Sequence, residues 1–273
     1  MKKRVLFVTQ EITPFLPETE ISLTSRNLPQ KIQESGKEIR IFTPRYGCVN
    51  ERRHQLHEVI RLSGMNLVVD DHDHPLIIKV ASIPQARMQV YFIDNEEYFK
   101  RKAFLTQANG KIFKDSDERA IFFAKGVLET AKKLGWKPDV IHCHGWMSAM
   151  VPLYIKTIFA DDPHFKDTKV VFSVYNQEYT SKINKKVISK LAFDGISEED
   201  CEGLSSSNLN GLMENAIKNS DALVIGSDEI DDNLKQYINK LNVPVLEKPD
   251  DEEIGKVYSA FYDKLLESVT VTP

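Results

Sequence analysis

The sequence predicts an α/β fold, a doubly wound and mostly parallel sheet whose strands alternate with helices. Short continuous apolar runs, such as residues 5–9, are typical of strands that are buried on both faces. Stretches with apolar residues at helical spacing separate these runs. Glycines such as Gly36 and Gly135 follow these stretches and supply helix stop signals.

The first βαβ unit lies at the N-terminus. Residues 5–9 form the first predicted strand and residues 39–43 the second. Between them, residues 22–35 carry apolar side chains such as Leu28 and Ile32 at helical spacing. Because βαβ units are right-handed and build parallel sheets, the two strands are expected to be parallel in one sheet.

Residues 65–93 have a different pattern. Three β-rich segments follow one another with turn residues between them, at residues 65–70, 75–81 and 88–93. No pattern of helical length separates them. We therefore expect a β-rich meander or an antiparallel extension of the sheet.

The alternation of strands and helices resumes after this extension. The predicted helices cover residues 119–134, 146–159, 209–219, 228–239 and 254–266. The predicted strands cover residues 140–142, 169–174 and 222–225. Ser227 is the expected N-cap of the helix at 228–239. Since no internal repeat or strong linker interrupts the pattern, residues 1–273 are predicted to be a single domain with a C-terminal helix near 253–266.

The composition excludes several classes of protein. The chain has 36 Lys and Arg against 40 Asp and Glu, a net charge of −4, which argues against a basic nucleic-acid-binding stripe. No apolar run approaches the ~20 residues that span a bilayer, and the run at the N-terminus is too short for a signal peptide. Three widely spaced cysteines do not form a disulfide framework. We expect a reduced, cytoplasmic protein with no nucleic-acid or membrane partner.

Ligands of doubly wound sheets bind beyond the carboxyl ends of the strands, so the residues that follow each strand are the candidate site. His142 and His144 share one face of the strand that begins at residue 140, and Cys143 lies on the other. A zinc site would need further ligands that converge from elsewhere, so packing is the simpler interpretation for His142. His144, just past the strand end, is better placed to meet a ligand.

Further candidates follow other strand ends or open a helix. Trp146 suits either the core of the next helix or a platform for a sugar ring, and taken alone it favours the core. Residues 175–179 (YNQEY) combine aromatic, amide and carboxylate groups that suit sugar hydroxyls, and an exposed polar loop explains them equally well. Residues 115–119 (DSDER) most simply cap a helix, because acids are favourable at its N-terminus.

Seven segments together match the motifs of one family. They are residues 5–15 (VLFVTQEITPF), 28–46 (LPQKIQESGKEIRIFTPRY), 90–99 (VYFIDNEEYF), 115–123 (DSDERAIFF), 138–153 (PDVIHCHGWMSAMVPL), 171–195 and 208–230. In this order they resemble the N-terminal catalytic-domain half of bacterial starch and glycogen synthases. These are retaining glycosyltransferases of the GT-B fold, in which two Rossmann-like domains face a cleft. The resemblance covers residues 1 to about 235 and implies a Rossmann-like sheet equivalent to the N-terminal domain of that fold.

Three positions depart from the functional motifs of the family. The K-T-G-G-L loop, whose lysine and glycines close on the donor phosphates, aligns with residues 17–21 (PETEI). The sugar-binding Asp of the family's H-D-W motif aligns with Gly145. The active-site His aligns with Tyr175, which is followed by the matching Asn176. Because only about thirty residues follow residue 239, we also expect the chain to lack the donor-binding domain.

The resemblance implies a protein of glucan metabolism. We expect a degenerate domain that binds a glucan or small sugar without autonomous catalysis, cofactor or metal. One alternative is an active glucosyltransferase, from ADP- or UDP-glucose to a glucan, that needs a separate donor-domain partner. Another is an interaction module or homodimer that reuses the fold. The substrate-binding residues implied by the resemblance are Glu11, Thr13, Pro14, His144, Gly145, Trp146, Tyr175, Asn176 and Gln177.

Overall fold

The computed structural model describes residues 2–176, 182–250 and 252–267. The strands are β1 (Arg4–Thr9), β2 (Glu38–Pro44), β3 (His57–Glu58), β4 (Met65–Val69), β5 (His72–Ile83), β6 (Met88–Asp94), β7 (Val140–His144), β8 (Lys169–Val174), β9 (Ala222–Ile225) and β10 (Val245–Leu246). The helices are α1 (Glu20–Glu34), α2 (Glu96–Phe99), α3 (Ser116–Lys133), α4 (Met150–Lys156), α5 (Val187–Ala192), α6 (Leu209–Lys218), α7 (Asp232–Ile238) and α8 (Ile254–Glu267).

The strands form one mostly parallel sheet in the order β10-β9-β8-β7-β1-β2-β6-β5-β3, with β4 paired to β5. All pairs from β10 to β6 are parallel, whereas β5 runs antiparallel to β6, β4 and β3. The parallel sheet and its antiparallel extension at residues 65–93 agree with the prediction. Strands β1 and β7 are buried along almost their whole length, as expected for the centre of a sheet that is covered on both faces.

The order of the strands reverses between β1 and β7. From β1 the chain continues outward through β2 and β6, and it then returns to build β7, β8 and β9 on the other side of β1. The two central strands are in register, with Thr9 opposite His144. Since a crevice opens at such a reversal, a ligand site is expected among the loops that follow β1, β7 and β8.

The last helix packs on the first. Helix α8 lies against α1, and Gly255 approaches Lys31 so closely that a Cβ at 255 would lie 2.7 Å from the Lys31 Cβ. The Lys37 ammonium group, at the amino end of β2, bonds the Ser259 hydroxyl at 2.6 Å and the Asp263 carboxylate at 2.9 Å. None of the helices within the described ranges is long and apolar enough to cross a bilayer.

Two predicted helices differ from the structure. The helix expected at 146–159 is a 3₁₀ turn (Trp146–Ser148) followed by the shorter α4. Ser227 is not an N-cap, because α7 begins later and the Asp231 carboxylate accepts from the Asn233 and Leu234 amides at 2.9 and 3.3 Å. A carboxylate with two free backbone donors in reach makes the stronger cap, and Ser227 is left for other contacts.

The acidic cluster at 115–119 lies at the N-terminus of α3, as predicted, but its side chains make other contacts than a capping hydrogen bond. Asp115 occupies the N-cap position of α3 but makes no capping hydrogen bond through its side chain, which pairs instead with Arg101. Asp117 and Glu118 both bind the ammonium group of the buried Lys190. The carboxylates therefore act as ion-pair partners between elements.

Candidate functional site

A cavity of about 300 Å³ opens at the carboxyl ends of β1, β7 and β8. Its volume lies at the lower end of the range typical of small-molecule sites. The loops after these three strands, the start of α1 and one residue of α6 line it. The lining residues are Gln10, Glu11, Thr19, Glu20, Ile21, Gly145, Trp146, Tyr175, Asn176 and Met213.

Gln10 and Glu11 follow β1 directly and are both almost fully buried. The Gln10 amide nitrogen donates to Glu11 Oε1 at 3.3 Å, and the Thr19 hydroxyl donates to the same oxygen at 3.0 Å. Burial raises the pKa of the Glu11 carboxyl, and these two hydrogen bonds oppose the rise. Within the described ranges, Gln10 Oε1 and Glu11 Oε2 have no hydrogen-bond partner.

The N-terminus of α1 forms the wall beside Glu11. The Thr19 hydroxyl accepts from the Ser22 amide at 3.0 Å, and the Ser22 hydroxyl accepts from the Thr19 amide at 2.8 Å. This capping box uses donors that a helix N-terminus would otherwise offer to an anion. The sequence reasoning placed the start of this helix later, because it took residue 22 rather than the Thr19–Ser22 pair as the beginning.

Glu20 links three loops at the rim of the cavity. Its carboxylate accepts from the Ser227 hydroxyl, which in turn accepts from the Asn176 amide at 3.0 Å. Lys248 binds the same carboxylate at 2.7 Å and Asp228 at 3.2 Å. The Glu20 charge is therefore balanced from outside the cavity by a lysine.

Two histidines lie in tilted contact beneath the cavity. The His142 and His144 ring centroids lie 4.0 Å apart, and both side chains are fully buried. The two nitrogens of His142 share hydrogen bonds with the Tyr262 hydroxyl at 2.6 Å and the Ser173 hydroxyl at 2.8 Å. Burial lowers the pKa of His144 to about 3, and burial together with the His144 neighbour lowers the pKa of His142 well below its usual value. Both rings are uncharged at neutral pH.

Tyr175 closes the floor of the cavity above these rings. Its hydroxyl shares a hydrogen bond with His144 Nδ1 at 2.8 Å, and burial raises the pKa of the phenol well above its usual value. Its ring lies against Gly226, where a Cβ would come within 2.5 Å of the tyrosine Cε1. The tyrosine therefore fits only because residue 226 has no side chain.

Gly145 and Gln10 form a second matched pair. Gly145 has a φ of +81°, and a Cβ at this position would lie 2.2 Å from Gln10 Oε1. The glutamine side chain thus occupies the space that any larger residue at 145 would use. The backbone amide of Gln10 also donates to the His144 carbonyl at 3.0 Å, which fixes the two loops to each other.

The structure brings together five of the residues proposed from the sequence around one cavity, namely Glu11, Gly145, Trp146, Tyr175 and Asn176. His144 lies directly below, in contact with Tyr175. Thr13 and Pro14 line a separate cavity of about 330 Å³ with Arg26 and Gln85. Gln177 lies outside the described residues.

The substrate-binding residues proposed from the sequence do not include five that line the cavity, namely Gln10, Thr19, Glu20, Ile21 and Met213. Gln10 directly follows the first strand and so belongs to the strand-end residues that the sequence marks as candidates. Glu20 and Ile21 lie in the segment that departs from the family loop. Met213 comes from α6 and carries no local signal. Within the described ranges, no group of three or more His, Cys, Asp or Glu residues is arranged to hold a metal ion.

Comparison with known proteins identifies the family of this chain. The family model described as "Starch synthase catalytic domain" matches residues 4–241. The chain belongs to the starch synthase catalytic domain family. The glycogen synthase of Pelodictyon phaeoclathratiforme is 40% identical over 195 residues, which are 71% of this chain and 40% of that protein. The glycogen synthase of Chlorobium luteolum is 37% identical over 227 residues, 82% of this chain and 45% of that protein.

A solved structure shows the same fold. The catalytic domain of Starch Synthase IV from Arabidopsis thaliana, bound to ADP and acarbose, matches with a TM-score of 0.66 and 20% identity. The match covers 82% of this chain and 45% of that chain. The predicted family and fold class are therefore confirmed. The chain spans less than half the length of these relatives.

The buried histidines make the stability of the fold depend on pH. Below the ordinary histidine pKa of about 6.5, the unfolded chain takes up a proton that the folded His144 does not bind. The free energy of unfolding should therefore fall by roughly 1.4 kcal/mol per pH unit for this residue as the pH drops from about 6 to 4. We expect His144→Gln to reduce that slope, measured by urea unfolding at several pH values.

The matched control is His164→Gln, since His164 is partly exposed and lies away from the cavity. This variant measures how much the slope changes when a histidine outside the cavity is lost, and the change caused by His144→Gln is compared with it. Equal slopes in wild type and His144→Gln would contradict a buried, neutral His144.

The fit between Gly226 and Tyr175 predicts a strong coupling between them. Gly226→Ala should lower the free energy of unfolding by about 1–3 kcal/mol, because the new methyl group overlaps the tyrosine ring. In a Tyr175→Ala background the same change should cost at least ~0.5 kcal/mol less. A double-mutant cycle by urea denaturation measures the difference, and additive effects would show that the ring does not depend on the glycine.

Proposed function

We propose that this chain is a sugar-binding member of the starch synthase catalytic domain family, in which the strand-end cavity holds a glucan end or small sugar. We further propose that the site does not by itself transfer glucose from a nucleotide donor. The observation that carries both parts is the composition of the cavity. Its described lining residues offer polar and aromatic groups for hydroxyls, and no lysine or arginine for a diphosphate is among them.

The cavity walls suit a sugar. Trp146 and Tyr175 contribute aromatic rings, and Asn176 is exposed at the rim with its side-chain amide available as both donor and acceptor. Trp146 Nε1 is a buried donor with no hydrogen-bond partner among the described residues. Gln10 Oε1 is a buried acceptor that also has no partner there. Sugar hydroxyls both donate and accept, so one ring can satisfy such a mixed set.

Three groups of the family motifs, the donor-phosphate loop, the sugar-binding Asp and the active-site His, are replaced in a coordinated way. The loop at 17–21 carries Glu18 and Glu20 where the family motif has a lysine and glycines. Gln10 fills the space beside Gly145, the position of the family's aspartate, and Tyr175 stands in the position of its histidine. Each replacement is matched by its neighbour, which supports a remodelled site and not a family site with isolated losses.

A second candidate function is glucosyl transfer when a donor-binding domain is supplied. The relatives named glycogen synthase favour it, as does the retained Asn176. In that mechanism the partner would have to contribute the positive charge that stabilises the leaving diphosphate, because the lining residues that the structure describes include no lysine or arginine.

Isothermal titration of the full chain with maltotetraose tests the sugar-binding proposal. We expect millimolar or tighter binding that Asn176→Ala weakens about three- to tenfold, the usual value of one hydrogen bond to a neutral group. Asn233→Ala, an exposed asparagine on α7 outside the cavity, is the matched control and should bind as wild type does. Absence of binding at millimolar sugar would overturn the proposal.

The same preparations, incubated with ADP-glucose and maltotetraose, test the second part. No transfer above background is expected from the chain alone. Transfer by the chain alone would contradict the remodelled site, and transfer only after addition of a donor-binding domain would favour the second candidate.

A further inference from the structure

One buried carboxyl group of the cavity, that of Glu11, has no cationic partner among the described residues. Glu11 is only 3% exposed, and the neighbours that act on its carboxyl are the neutral side chains Gln10 and Thr19. No lysine or arginine lines the cavity, and the segments outside the described ranges contain neither residue. An uncompensated buried carboxylate is costly, so a bound cation would relieve this cost.

Glu20, the second carboxylate of the cavity, does not need such a partner. Lys248 binds one of its oxygens at 2.7 Å, and the Ser227 hydroxyl donates to the other. Both acids line the same space, and within the described residues Glu20 has a lysine partner whereas Glu11 has no cationic partner. The carboxyl group that lacks a cation is therefore that of Glu11.

The atoms near the Glu11 carboxyl group that lack a hydrogen-bond partner among the described residues are mainly acceptors. Glu11 Oε1 receives two donors, whereas Glu11 Oε2 receives none from the described residues. The Gln10 amide nitrogen is directed to Glu11, which leaves Gln10 Oε1 as a second acceptor without a donor. A ligand group with several N–H donors and a positive charge fits this end of the cavity.

The other end of the cavity suits the rest of a sugar. Trp146 Nε1 is a donor without a partner in the described chain, and it meets the needs of a hydroxyl oxygen. The volume of about 300 Å³ has room for one small ligand.

We propose that the cavity selects an amino sugar, with its ammonium group bound to the Glu11 carboxylate and Gln10 Oε1, over the neutral sugar of the same ring. Anionic ligands are excluded by the same charge. This inference rests on the proposed sugar-binding function and adds the chemical class of the preferred sugar.

Isothermal titration at pH 7 of the full chain with D-glucosamine hydrochloride, D-glucose and ADP, at equal ionic strength, tests the inference. Glucosamine should bind at least about tenfold more tightly than glucose, as a charge-assisted hydrogen bond in a buried site predicts. ADP should bind more weakly than either sugar. Glu11→Gln should bring the ratio of the two sugar affinities to within about twofold of one.

Glu199→Gln is the control, because it removes the same charge from an exposed position outside the cavity, and it should keep the wild-type ratio. Equal binding of both sugars, preference for glucose, tight binding of ADP, or a ratio unchanged in Glu11→Gln would overturn the inference and leave the sugar-binding proposal standing. If neither monosaccharide binds at millimolar concentration while maltotetraose does, this inference fails and the proposed function stands. If maltotetraose does not bind either, both fail.

Discussion

The carboxyl end of the central sheet depends on a pair of buried, uncharged histidines in tilted contact. His142 and His144 lie on the same face of β7, and three of their four ring nitrogens bond hydroxyls from β8, α8 and the loop after β8. Because burial disfavours the imidazolium form, the rings act as neutral hydrogen-bonding groups at physiological pH. Through Tyr262 they fix the last helix, and through Tyr175 they fix the floor of the cavity. One buried polar layer thus connects the packing of the fold to the shape of the site.

The shape of the cavity above this layer depends on two pairs, each a glycine and a larger neighbour. Gln10 occupies the space left by Gly145, and the Tyr175 ring occupies the space left by Gly226. Interiors are packed densely enough that a larger residue at either glycine would displace its neighbour. Two carboxylates, two aromatic rings and two amides surround the space, and no lysine or arginine is among its described lining residues.

The sequence predicted where the site lies better than it predicted which residues line it. A parallel sheet collects its carboxyl ends at one edge, so Glu11, Trp146 and Tyr175 could be grouped without coordinates. The Glu20–Lys248 contact could not be predicted, since its partners are 228 residues apart and no local pattern links them. Ser227 was predicted to cap a helix for a related reason. The contact of its hydroxyl with the distant Glu20 carboxylate is visible only in three dimensions, and Asp231 is the residue that caps the helix.

The central claim is that a sugar occupies the cavity at the ends of β1, β7 and β8. The chain has two tryptophans, and Trp146 lines the cavity. Trp136 packs against Arg40, whose Cζ lies 5.3 Å from the centroid of the tryptophan ring. The two indole N–H signals of ¹⁵N-labelled protein, assigned with Trp136→Phe, therefore give a reporter and an internal reference in one NMR spectrum. Titration with maltotetraose should shift the Trp146 signal in a saturable way and leave the Trp136 signal in place. If neither signal moves at millimolar sugar, or only that of Trp136 does, the claim is contradicted.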